Sequence, residues 1–347
     1  MTDDIIFGSG VPQWSSAQVQ NELVGQVSIF AEGNKGLRNR KDLSEALRDK
    51  HEWPVRHQHA RGTCNAFAMV AAEELRRFIE SGKNSYAQLS EEYLYDKAWR
   101  KNFTRVPEPP TGLAKEIFAR QGGTYLGQVM DALIKDGLAD AEDAPYDPDA
   151  PVKPPERPKV FSGLDAQKAL GRKVEEDKLF HDIAQKKVDS IRQWKRDTGR
   201  ASLADFFARQ LEDDKPVAAA FAILNDAEYV WTGNYARASG HVRYPTDEIS
   251  DGKRPVGGHS VCLVGYECIP DGGDSNPWMF LFRNSYGTRI FAQKPDQFPG
   301  RLNTTLPGYG IISAYDVNRY CWEYLTRASP ADIEALTGGR SPVFDIR

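Results

Sequence analysis

The chain has 347 residues, of which 40% are hydrophobic and 27% charged, a balance that suits a globular protein with a substantial core. Lys and Arg total 45 against 49 Asp and Glu, a formal net charge of −4, so neither nucleic acid nor an anionic membrane surface is expected as a partner. No run of about 18 apolar residues predicts a membrane span. The start, Met1-Thr2-Asp3-Asp4, carries acids where a secretory leader needs bases. The cysteines Cys64, Cys262, Cys268 and Cys321 stand apart with no CxxC pair, which argues against a zinc site and against a disulfide framework. The expectation is a reducing, cytoplasmic compartment, with no metal and no cofactor.

In chain order, residues 1–35 show no periodicity and read as an N-terminal arm ahead of one domain over 36–347. The strongest helical signal starts at Cys64: Phe67, Val70, Ala71, Leu75, Phe78 and Ile79 recur at three- and four-residue steps. Thr63 is placed to cap this helix and Gly82 to stop it. At 1.5 Å per residue it would run roughly 27 Å, enough to cross a core. Ser90 can cap a second helix, and Gly122-Gly123 breaks the chain before a third at 126–135.

Residues 145–160 are dense in Pro and Asp and read as a linker or extended crossing segment. The charged block at 164–200, with Phe180, Ile183, Ile191 and Trp194 as a narrow apolar stripe, predicts one or two surface helices. That block is either a solvated face or a partner site. A short helix is expected at 203–211. The period then changes, and 216–224, 259–266, 278–283 and 308–312 read as strands. Helices first and strands second predict an α+β protein of two lobes: a helical lobe at about 36–145, an insertion at about 145–200 and a β-rich lobe at about 201–347.

Chemistry concentrates at Cys64. A thiol attacks a carbonyl well only as a thiolate, and a helix N-terminus and a neighbouring imidazolium are two devices that favour that form. Cys64 has the first by position and needs a histidine from elsewhere for the second. His57 and His59 lie close by, but two histidines without further ligands are read as polar loop residues rather than a metal site. Cys262, on a strand, reads as core packing.

The run Pro54-Val55-Arg56-His57-Gln58-His59-Ala60-Arg61-Gly62-Thr63-Cys64-Asn65-Ala66-Phe67-Ala68 resembles the nucleophile segment of papain-like cysteine peptidases, with a Gln six residues before the Cys. Three further segments match in the family's chain order. Leu89-Ser90-Glu91-Glu92-Tyr93-Leu94 is similar to its Leu-Ser-Glu-Gln run. Gly258-His259-Ser260-Val261-Cys262-Leu263-Val264-Gly265-Tyr266 is similar to its histidine strand. Phe282-Arg283-Asn284-Ser285-Tyr286-Gly287-Thr288 is similar to its Asn-Ser-Trp-Gly turn. The resemblance covers roughly residues 36–320.

It implies a two-lobed papain-like fold with the active site in the cleft between lobes, and a cysteine-type endopeptidase acting on protein or peptide substrates. It further implies Cys64 as nucleophile, His259 as base and acid, and Asn284 as the group that orients the histidine. The Gln58 amide and the Cys64 backbone N–H would form the oxyanion hole. Gly122 and Gly123 would bind extended substrate, and Tyr286 would shield the His–Asn bond.

Several departures accompany the match. Arg61 stands where the family carries a disulfide-bonded Cys, and the missing bridges fit an intracellular member of bacterial or phage type. Asn65 replaces a residue that is often Trp, Tyr286 a Trp, and Gly258 an acid or Asn. His259 follows Cys64 by 195 residues, longer than about 130–150 for the family pattern, with the 145–200 block supplying most of the excess. The arm is short for an inhibitory propeptide, so control without a zymogen is expected. Two other functions share these residues: a different thiol acyl-transfer enzyme (amidase, deamidase or transglutaminase) and a silent peptide-binding module.

Overall fold

The computed structural model describes residues 40–51, 53–100, 122–150, 168–174, 179–183, 203–224, 231, 233–244, 255–268, 278–289, 291 and 306–327. The expected N-terminal arm, most of the 145–200 block and most of the loop after the Asn284 turn lie outside these residues.

The helical side opens with a short strand β1 (Arg40–Asp42) and helix α1 (Glu45–Lys50). The central helix α2 (Cys64–Glu80) follows, and Gly82, at φ 67°, ends it in a left-handed conformation that glycine adopts without steric cost. Its apolar stripe, Phe67, Val70, Ala71, Leu75 and Phe78, is buried as the spacing predicts. Glu73 and Glu74 are buried too, and a buried carboxylate needs partners. Glu74 accepts from Arg56 Nη2 (2.8 Å), Trp53 Nε1 (2.7 Å) and the Leu89 N–H (2.8 Å). Glu73 accepts from Arg76 (2.8 Å) on its own helix and from Arg327 (3.1 Å) on the sheet.

Helices α3 (Glu91–Trp99) and α4 (Leu126–Lys135) complete this side. Ser90 caps α3 as expected, its hydroxyl accepting from the Tyr93 N–H at 2.9 Å.

Among the described residues, the β-rich side is a sheet of eight strands. It comprises β1, β2 (Leu179–Ile183), β3 (Val217–Leu224), β4 (His241–Val242), β5 (Pro255–Cys268), β6 (Trp278–Arg283), β7 (Tyr309–Ser313) and β8 (Cys321–Arg327). Their order is β2-β8-β3-β5-β6-β7-β4, with β1 paired to β5. Helices α5 (Leu203–Glu212), α6 (Asn234–Ser239) and α7 (Ala314–Tyr320) pack around it. The α+β architecture and the strands β3, β5, β6 and β7 follow the expectation.

The expected helix through Phe180 and Ile183 does not form at residues 179–183, which instead pair antiparallel with β8, Leu179 opposite Arg327 and Ile183 opposite Glu323. Apolar residues three apart fit either state. The open edge of β8 offers the backbone hydrogen-bond partners that decide between them.

Candidate active site

Cys64 is the first residue of α2 and is fully buried. The N–H groups of a helix's first turn lie outside its internal ladder and carry partial positive charge, and no acidic residue in the first turn of α2 offsets it. Thr63 holds the N-cap position, but its side chain does not cap the helix. Side-chain capping needs an extended residue, and Thr63 sits at φ −100°, ψ 7°. Its hydroxyl lies 3.0 Å from the phenol of Tyr146 instead.

His259 and Asn284 come from neighbouring strands. In the β5–β6 ladder Cys262 pairs with Arg283, so His259 and Asn284 leave the pairing at the same end. His259 Nε2 lies 2.8 Å from Asn284 Oδ1, which also accepts from the Ser285 N–H at 2.8 Å. An amide oxygen only accepts, so Nε2 carries the hydrogen and Nδ1 is left to exchange a proton.

The Tyr286 ring stacks on the imidazole at 4.5 Å and 23°, and the Trp231 ring meets it edge-on at 4.9 Å and 67°. Burial pulls the His259 pKa down to about 3, against the opposing effect of the Asn284 bond. Burial also raises the Tyr286 phenol far above its ordinary value, and the nearby charge of Cys64 adds to that rise. Cys64 and His259 thus share the surroundings of one tyrosine. Their chain neighbours are bonded directly, the Ser260 hydroxyl donating to Asn65 Oδ1 across 195 residues of sequence.

Gln58 is fully buried between the two halves of the site. Its Nε2 donates to the Arg61 carbonyl (2.9 Å), its Oε1 accepts from Ser285 Oγ (2.5 Å), and its backbone N–H donates to the Ser285 carbonyl (2.8 Å). A bridge between His57 and Tyr286 and a bond from the Gly287 N–H to the Arg56 carbonyl (3.1 Å) continue this pairing. Gly287 is at φ 66°, and a Cβ there would meet the His57 ring at 3.1 Å, so the turn requires glycine. His57 Nδ1 accepts from the His59 N–H at 2.7 Å.

The loop before Cys64 is gripped from outside. Arg61, at the position of the family's bridged Cys, is buried with Nη1 2.5 Å and Nη2 3.2 Å from the Glu92 carboxylate. The same guanidinium donates to the Asp147 carbonyl at 2.8 Å and lies over the rings of Tyr95 and Tyr146, at 5.1 and 5.0 Å. Tyr146 donates to the Gln58 carbonyl at 2.6 Å and packs edge-on against Phe67. The start of the Pro-rich segment is therefore docked on the loop that precedes Cys64, a role that its composition hides.

Gly122 and Gly123 are both buried, and Gly122, at φ 65°, accepts from the Tyr95 hydroxyl at 2.6 Å. The next residue, Thr124, accepts from Asn65 Nδ2 through its carbonyl, which joins this wall to α2. Sequence reasoning missed Trp231, Tyr146 and the Asn65–Ser260 pair. Asn65 was visible as a departure from the family pattern, whereas Trp231 carries no local signal. All four cysteines are thiols with no disulfide. No helix among the described residues is long and apolar enough to cross a membrane.

A family model described as papain family cysteine protease matches residues 42–293. Among solved structures the chain is similar to xylellain, a cysteine protease from Xylella fastidiosa, at 17% identity and a TM-score of 0.56, covering 95% of this chain and 98% of that one. The Carica candamarcensis cysteine protease CMS1MS2 in complex with E-64 matches at 17% identity and a TM-score of 0.48, covering 84% of this chain and 99% of that one. A structure from a study of the mite allergens Blo t 1 and Der p 1 matches at 18% identity and a TM-score of 0.48, covering 86% of this chain and 73% of that one. No curated protein sequence matches the chain.

Proposed function

The chain belongs to the papain family of cysteine proteases, and we propose that its peptide-bond hydrolysis runs through Cys64, with His259 as proton carrier and Asn284 orienting it. The observation that carries this assignment is the bond from His259 Nε2 to Asn284, which leaves Nδ1 to serve a thiol held at a helix N-terminus.

The Cys64 thiolate attacks the scissile carbonyl carbon, forming an S–C bond and pushing an electron pair onto the oxygen. The Cys64 backbone N–H and the second hydrogen of Gln58 Nε2 stabilise that oxyanion. The His259 imidazolium gives its proton to the amine nitrogen as the C–N bond breaks, leaving an acyl-enzyme. Neutral His259 then takes a proton from water, the hydroxide attacks the thioester, and Cys64 leaves as thiolate.

The backbone of Gly122 and Gly123, with the Gly122 carbonyl also held by the Tyr95 hydroxyl, would take extended substrate in the manner of an added strand. Tyr286 and Trp231 keep water from the His259–Asn284 bond.

We take residues 36–347 as one peptidase domain with a surface insertion at about 145–200. A reducing, cytoplasmic setting is supported by the ion pair that stands where a disulfide would. Mass spectrometry of peptides incubated with the protein tests the reaction. Paired fragments from the wild type and none from Cys64→Ala are expected. A mass change of about one unit without fragments would mean deamidation, and intermolecular adducts would mean cross-linking.

A further inference from the structure

We propose that Asn65 and Ser260 form a positioning bridge that sets the nucleophile against its base. This rests on the assignment of Cys64 and His259 as the catalytic pair. Asn65 directly follows Cys64 on α2, Ser260 directly follows His259 on β5, and both side chains are fully buried. The Ser260 hydroxyl donates to Asn65 Oδ1, while Asn65 Nδ2 donates to the Thr124 carbonyl beside Gly122-Gly123. Both sides of the amide are thus engaged, which fixes its orientation.

One side chain thereby joins three parts that converge on the reaction: the nucleophile helix, the base strand and the substrate wall. Another tie between α2 and the sheet, Glu73 to Arg327, lies nine residues beyond Cys64 along the helix. At 1.5 Å per residue that is roughly 13 Å away, too far to place the thiol. Attack geometry is sensitive to displacements of about 1 Å, so a bond one residue from each partner is where rigidity bears on rate. The two halves of the amide should also separate in kinetics. The Ser260 half governs the thiol–imidazole distance and hence kcat, whereas the Thr124 half governs the wall and hence KM.

Ser260→Ala, Ser260→Thr, Asn65→Ala and the double alanine variant test the bridge, by peptide hydrolysis and by the pH dependence of Cys64 alkylation with iodoacetamide. Ser260→Ala should lower kcat about tenfold with KM within about twofold, and move the midpoint of alkylation to higher pH. Ser260→Thr, which keeps the hydroxyl, should restore both. Asn65→Ala should match the loss in kcat and also raise KM, and the double variant should be no worse than Asn65→Ala alone. A loss of packing alone would lower stability without moving the alkylation midpoint.

Wild-type kcat and an unmoved midpoint in Ser260→Ala would overturn the bridge. If that variant does not fold, an unmoved midpoint in Asn65→Ala would do the same. Failure of the wild type itself to alkylate at Cys64 would instead overturn the catalytic assignment, and the bridge with it.

Discussion

An imidazole stripped of water does not readily hold a proton by itself. Burial takes the His259 pKa to about 3, and the hydrogen bond to Asn284 only partly opposes that fall. A thiolate at Cys64 changes the balance, because an ion pair removes much of the penalty that either charge would meet singly. In Cys64→Ala, His259 should therefore stay neutral down to about pH 3 by NMR, while the wild type keeps its imidazolium well above the ordinary histidine range. Identical titrations in the two proteins would mean that no pair forms. The same depressed pKa gives the variant stability that is present above pH 6.5 and lost as pH falls toward 3, since only the unfolded chain takes up the proton in that window. Gln58→Ala should lower kcat by about 10²–10³ with little change in KM, as expected for a donor used in the transition state. Cys64, Gln58, His259 and Asn284 stand out as candidates in the sequence because each sits in a short segment whose residue types the proposed chemistry would dictate. Trp231 and the partner of Asn65 were not, because their contacts join segments that carry no mark of one another.

At the scale of elements, the loop before Cys64 is held by an ion pair where relatives in the family have a covalent bridge. Arg61 and Glu92 are buried, and removing one partner strands the other charge away from water. Glu92→Ala should cost about 3–5 kcal/mol in urea unfolding, and pairing it with Arg61→Met should recover much of that loss. An unchanged midpoint in Glu92→Ala would show that the pair is dispensable. Starts and ends of elements were readable where side-chain chemistry decides them, as at Ser90 before α3 and Gly82 after α2. They were misread where tertiary pairing decides. Residues 179–183 took the free edge of β8 rather than a helix, while the segment read as a linker or extended crossing segment begins with Tyr146 bonded to the loop that carries Gln58.

Across the whole molecule, the helical side is fastened to the sheet by charges that the hydrophobic pattern did not reveal. Burial works to raise the Glu73 pKa, but Arg76 and Arg327 outweigh it and hold the carboxyl at about 2. A depressed carboxylate pKa contributes stability that is complete above the unfolded value near 4.5 and is lost as pH falls toward 2. The loss should be on the order of 3 kcal/mol. Acid unfolding of Arg327→Met should show a weaker dependence on pH across this window, and an unaltered slope would remove Glu73 from the account. The two-lobed fold was legible from the order of helices and strands, whereas this tie needs residues 254 apart to meet. The proposed mechanism requires that Cys64 alone among the cysteines is an activated thiol. Burial pushes the Cys262 thiol up to about 12 and also raises that of Cys268, which makes both poor nucleophiles. The most direct measurement is labelling with a peptidyl epoxide at mildly acidic pH, followed by peptide mapping of the wild type and Cys64→Ala. A single adduct on Cys64 that disappears in the variant is the expected result; adducts confined to Cys262, Cys268 or Cys321, or no adduct at all, would contradict it.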